Sequence, residues 1–322
     1  MRPISEQDWN TYADRVDQEI QKLIQFKQEE FSPFFSDLHS LFLFIGFLID
    51  EGELFILKGK NSSALSILLA RTCYALNGVC ATLQIGAITE AGTSLRTLFE
   101  IYLSTEMILL QDSELRSQLF NEFHHASAYY YLRSVETFED KQGETIKYGP
   151  NSKERDDIRK QWHSVCGHFP DHPRQANYWW WFLFAERLSE KKLQAVLKGE
   201  GRDPVNHSIF HVCKELEEKR SHEVDGRPNF RELYIRFYKT FSLVAHPTSS
   251  SANLMIGVNG RPGIALAYNS RLPEFVGLSM TLGGWIINDI VKAMNHPSAG
   301  FICSTVTHVV HDSVSRARSL GS

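Results

Sequence analysis

Residues 63–111 read SALSILLARTCYALNGVCATLQIGAITEAGTSLRTLFEIYLSTEMILLQ, and this stretch decides the fold class. Two apolar blocks, 63–84 and 87–111, flank Gly86, and each is too long for a strand and apolar nearly all the way round. A helix with so little polar surface has to be surrounded, so both are expected at the centre of an all-α bundle.

Working outward, the pattern stays helical. Residues 6–31 place Trp9, Tyr12, Val16, Ile20 and Leu23 on one face of an amphipathic helix that closes at Ser32-Pro33. A second helix is expected over 34–58, ending near Gly59, and Asp112-Ser113 caps a long helix that runs to about residue 140. From 143 to 230 the chain is richer in charge, His, Pro and Trp, and its helices (152–165, 184–198, 207–222) are shorter. That stretch reads as an insert or cap (143–228) on a core bundle built from 60–142 and 229–317, with 1–58 as an N-terminal helical pair and the whole as one helical domain. Asn229 opens a helix that ends at His246-Pro247, because proline cannot extend it. Asn259-Gly260 between the apolar runs 254–258 and 264–268 predicts one short β-hairpin. Helices over 273–294 and 299–317 finish the chain.

Composition narrows the function classes. The net charge of −4 and the absence of any Lys/Arg-rich run argue against a broad surface for duplex DNA. Five widely spaced cysteines without a C-x-x-C pair read as free thiols in a reducing compartment. The first residues lack the apolar core of a signal peptide, and the most apolar run, 41–49, is about half a bilayer crossing, so a soluble cytoplasmic protein with no membrane partner is expected. Neither G-x-x-x-x-G-K-[ST] nor G-x-G-x-x-G occurs, so no nucleotide cofactor is expected.

Polar residues in apolar settings give the candidate site. Arg96 and Glu100 lie one turn apart among Leu95, Leu98, Phe99 and Ile101 and can pair. They read either as a buried structural pair, whose loss through Arg96→Ala would cost about 3–5 kcal/mol, or as the lining of a cleft in which Arg96 faces an anion. Tyr234, Tyr238, Ser242 and His246 step by four along the next candidate helix, with His246 at its C-terminal end, where the dipole favours a cation. They too read as local packing and capping or as a site. His124 and His125 precede three tyrosines and read as solvated or core histidines or as ligand contacts. His163, Cys166, His168 and His172 are zinc-type ligands within ten residues, in a spacing that matches no standard motif and lacks the paired second knuckle of a structural zinc site.

Three of these pieces, Ser94-Leu-Arg96-Thr-Leu-Phe-Glu100, the His124 region and Tyr234…Phe241-Ser242-Leu-Val-Ala-His246-Pro247, together resemble a bacterial family of all-helical proteins known mainly as a domain of unknown function. The resemblance covers about 60–135 and 228–256 through the motifs R-x-x-x-E and S-x-x-x-H-P. It implies a bundle in which Arg96, Glu100, Ser242 and His246 converge on one cleft, and it brings no activity with it. More loosely, the chain is similar to HEPN proteins, helical bundles that often act as metal-independent ribonucleases in toxin and anti-phage systems. Their Arg-x4–6-His pattern is met only by Arg202…His207, while His246 has Arg236 ten positions before it. Two readings follow. One is a binding or regulatory module of bacterial stress or phage defence. The other is a ribonuclease with His246 as general acid/base and Arg96 on a phosphate, helped by Glu100, Ser242, His124, Tyr238 and Tyr234. RNA or a nucleotide in a small cleft, and a homodimer through the apolar helical faces, are the partners considered.

Overall fold

The computed structural model describes residues 32–49, 62–84, 87–169, 189–197, 208–220, 227–239 and 272–320, together with Asp14, Gln18 and Trp180. Regular structure among the described residues is helical, as expected for an all-α chain. The hairpin expected near 254–268 lies outside them. Asp14 and Gln18, one turn apart, are helical and exposed, which suits the polar side of the 6–31 pattern.

In chain order the helices are α1 (32–49), α2 (Ser62–Gln84), α3 (Ile88–Leu110), α4 (Ser113–Gln142), α5 (Ser152–Val165), α6 (Glu190–Leu197), α7 (Ile209–Lys219), α8 (Phe230–Leu233), α9 (Leu272–Ala293) and α10 (Ala299–Leu320). A π-helical turn, Tyr234–Lys239, continues α8 directly. The chain forms two compact units, residues 1–106 with 232–322 and residues 107–231.

In the first unit α9 packs on α10 and on α2. Two consecutive glycines allow this. A Cβ on Gly284 would stand 2.7 Å from Val310 Cγ2, and one on Gly283 would stand 3.1 Å from Leu76 Cδ1. One glycine thus lets α10 approach and the other lets α2 approach, closer than a Cβ ordinarily allows. α1 runs antiparallel to α2, with the Cys73 and Cys80 thiols directed at the Phe42 and Phe35 carbonyls (3.7 and 4.0 Å). Asp37 on α1 pairs with Arg316 on α10. The apolar run at 41–49 is the second half of a helix that begins by Ser32. By length and composition alone, α1 and α2 are each able to cross a membrane, though only 33% of the α1 window and 56% of the α2 window is buried. The outer side of α1 carries Leu43 and Phe47, both more than half exposed.

In the second unit α4 and α5 form an antiparallel pair around Leu119, Ala126, Tyr130, Trp162, Val165 and Phe169. Their far end is clamped by charge. Arg155 donates to both oxygens of Glu139 (2.7 and 2.8 Å), and the Ile146 amide adds a third bond to the same carboxylate at 2.9 Å. α4 runs to Gln142, and Gly143 stops it in the left-handed conformation (φ 70°), with its N–H on the Glu139 carbonyl. Asp112 does precede α4, but it sits at φ 44° and its side chain caps nothing, so its contribution is the left-handed turn out of α3. α5 is opened by a reciprocal capping box between Asn151 and Glu154.

Two outcomes follow from this packing. Gly284→Ala should cost about 1–3 kcal/mol by overpacking, whereas Gly46→Ala, with nothing within 4 Å of the new methyl, should leave the melting temperature unchanged or raise it. Thermal melts of the two variants check this. The bonds from Arg155, and secondarily from Ile146, pull the Glu139 carboxyl from its ordinary 4.5 down to about 2. A depressed carboxyl stabilises the fold fully above the ordinary value and loses that contribution as pH falls through the folded-state value. Acid unfolding followed by intrinsic tryptophan fluorescence should therefore show a component between pH 4.5 and about 2 that Glu139→Gln removes.

Candidate functional site

The polar residues of α3 that reach solvent lie between residues 90 and 100. Residues 101–108 are all buried, whereas Thr93, Arg96, Thr97 and Glu100 reach the surface to differing degrees. Arg96 and Glu100 are one turn apart and share this face, and Arg96 Nε donates to Glu100 Oε1 at 3.2 Å. The two side chains remain 26% and 34% exposed, so this is not the fully buried pair that the apolar surroundings suggested. The difference arises because Arg96 and Glu100 sit at the edge of the apolar face, while the flanking Leu95, Leu98 and Phe99 are buried within it.

The second partner of Arg96 comes from the π-helical turn. Arg96 Nη2 donates to the Tyr238 hydroxyl at 2.7 Å, and the guanidinium carbon lies 4.4 Å from the centre of the Tyr238 ring. Tyr234, four residues earlier, stacks on Tyr238 with centroids 5.4 Å apart and planes 18° apart. Beneath them Phe237, 2% exposed, stacks on Phe99 of α3 at 5.8 Å and 9°. The turn is thus anchored by an apolar residue and presents a tyrosine beside it to a cation. Among the described residues Arg96 Nη1 has no hydrogen-bond partner.

Four of the residues singled out in the sequence, Arg96, Glu100, Tyr234 and Tyr238, therefore meet. Ser242 and His246 lie outside the described residues. His124 is on α4 in the other unit, exposed, with its ring on the Asn121 carbonyl and 3.7 Å from the ring of His125.

Of the His/Cys group, His168 Nδ1 is 2.6 Å from Glu122 of α4, and the Cys166 thiol donates to the His163 carbonyl at 3.5 Å. Among the described residues no three His, Cys, Asp or Glu side chains are close enough to share a metal, and His172 lies outside them. His163 and Cys166 instead edge a cleft of about 750 Å³ along the α4–α5 seam, together with Tyr129, Arg133, Glu136 and Asp140. Sequence reading missed this seam. Its floor is Trp162, stacked on Tyr129 at 4.4 Å and 3°, and Arg133 lies over the same tyrosine at 5.9 Å. Arg159 in the cleft is already held by Glu136 and Asp156, so the acids and arginines balance and leave no net charge to select an ion. Sequence reading also missed Arg116, 1% exposed, which donates to the Met107 carbonyl in the last turn of α3 and so satisfies a helix-end acceptor.

A family model, the family of unknown function DUF5677, matches residues 62–263. The chain belongs to this family. The DUF5677 match spans α2 through the segment that contains Ser242 and His246, and so includes Arg96, Glu100, Tyr234 and Tyr238. No curated protein and no solved structure matches the chain.

For the DUF5677 site the partial exposure sets the scale of its stability. Exposed one-turn ion pairs contribute about 0.3–0.5 kcal/mol and a charged hydrogen bond about 1.5–3 kcal/mol. Arg96→Ala should accordingly destabilise by about 1–3 kcal/mol, below the 3–5 kcal/mol of a fully buried pair. Denaturant melts measure it directly.

Proposed function

We propose that this DUF5677 protein is a helical binding module whose site takes a phosphate-bearing ligand, a nucleotide or single-stranded RNA, at Arg96. The observation that carries the reading is the double hold on one guanidinium. Glu100 takes Nε, Tyr238 takes Nη2, and Nη1 is left without a partner among the described residues, on a side chain 26% exposed. An arginine fixed in this way loses little freedom when an anion arrives, and its planar fork suits the paired oxygens of a phosphate. The adjoining Tyr234–Tyr238 stack supports a ligand with a ring, since nucleobases pair with arginine and tyrosine faces. No Gly-rich phosphate loop is present, so arginine would supply the charge that backbone amides supply elsewhere.

The ribonuclease alternative adds a proton-transfer group to the same phosphate site. His246, eight positions beyond Tyr238, is the residue that could provide it. The looser HEPN likeness is what suggests a setting in bacterial stress or phage defence.

Titration calorimetry of the full chain with inorganic pyrophosphate and with a single-stranded RNA oligonucleotide, both in chelator, tests the proposal. Binding should weaken with added salt and fall by about tenfold or more in Arg96→Ala. Preference for RNA over pyrophosphate would identify the polymer as the source of the phosphate. Failure of both probes to bind, or undiminished binding by Arg96→Ala, would remove Arg96 from the role. RNA cleavage by the wild type and not by His246→Ala would move the protein from binder to ribonuclease.

A further inference from the structure

The π-helical turn sends two consecutive side chains to α3. Phe237 and Tyr238 are consecutive, yet both engage the same face of α3. Phe237 stacks on Phe99 and Tyr238 reaches Arg96, three residues earlier on that helix. Consecutive side chains on an α-helix diverge by about 100°. In a π-helical turn, which is wider, they diverge by roughly 80°. A swing of roughly 20° moves a phenol oxygen by about 3 Å at the reach of a tyrosine, which is enough to make or break one hydrogen bond. A π turn carries one residue more than the α-helical path it replaces, is rare, and recurs at functional sites.

We propose that the turn Tyr234–Lys239 is the positioning device of the anion site. Its extra residue allows Phe237 to anchor and Tyr238 to hold the Arg96 fork at the same time, and Tyr238 is a positioning residue that acts through Arg96. This rests on the reading of Arg96 as an anion receptor, but the geometry of the turn can be tested without it.

Ile235 lies within the turn and is 57% exposed, so its removal disturbs little packing while narrowing the turn to α. The experiment compares the wild type, the Ile235 deletion, Tyr238→Phe and the two changes combined as full chains, by pyrophosphate titration and by thermal melting. The deletion and Tyr238→Phe should each weaken pyrophosphate binding by about tenfold. Tyr238→Phe should lower the melting temperature of the wild type and have no effect in the deletion background, where the bond is already lost. A deletion variant that binds as tightly as the wild type, or one that is destabilised by Tyr238→Phe as much as the wild type, overturns the proposal. Should the deletion variant not fold, Tyr238→Phe alone decides, because unchanged affinity there removes Tyr238 from the site. Should the wild type bind no pyrophosphate, the anion reading fails and the melting comparison still judges the turn.

Discussion

The burial of α3 is the constraint from which the rest of the first unit follows. Residues 101–108 of this helix are out of solvent on every side, including Ser104, Thr105 and Glu106. The two hydroxyls solve their part locally by donating back to the Glu100 and Ile101 carbonyls (2.9 and 3.0 Å). A helix so enclosed can expose polar groups only towards its N-terminal end, and Arg96 and Glu100 are found there. A charged side chain at the margin of an apolar bundle is stable when its donors are taken up. Glu100 does this from within α3, and Tyr238 does it from a turn that Phe237 presses against Phe99. Packing and site are thus one arrangement, with the same two helical segments supplying the apolar stack below and the cation–phenol contact above.

The second unit uses charge differently. Its α4 and α5 are polar along much of their length, and acids and bases from facing positions are spent on each other: Glu139 with Arg155, Glu136 with Arg159, Glu122 with His168. α7 repeats the habit with two glutamates that are nearly buried, Glu215 held by Lys219 and Glu217 by Arg231. Two residues before Glu215, burial and then the Glu217 charge push the Cys213 thiol far up, which leaves it protonated and inert. Among the described residues of 143–228, Arg155, Arg159 and His168 are thus engaged by acids of α4.

What could be read from the sequence depended on whether the signal was local. The limits of α2, α3, α5, α9 and α10 follow from apolar periodicity and from Gly and Pro punctuation, and they fall within a few residues of expectation. Spacing by four also found Arg96 with Glu100 and Tyr234 with Tyr238, because residues one turn apart stay neighbours in any regular helix. The same spacing could not reveal the π turn, since Leu233 to Phe237 is an apolar step of four that suits either register. Nor could it give the exposure of Arg96, which depends on how other elements surround α3. The α4–α5 ion pairs join residues 16 to 46 positions apart, and nothing in the local pattern announces such partners.

The central claim is that Arg96 and Tyr238 form one unit joining α3 to the π turn, and a double-mutant cycle on stability tests it most directly. Arg96→Ala, Tyr238→Phe and the double variant would be unfolded in denaturant and their free energies compared. The account predicts that the two losses fall short of additivity by about 1.5–3 kcal/mol, the magnitude of a hydrogen bond to a charged group. Additivity to within about 0.3 kcal/mol would show that the two side chains do not depend on each other and would contradict it.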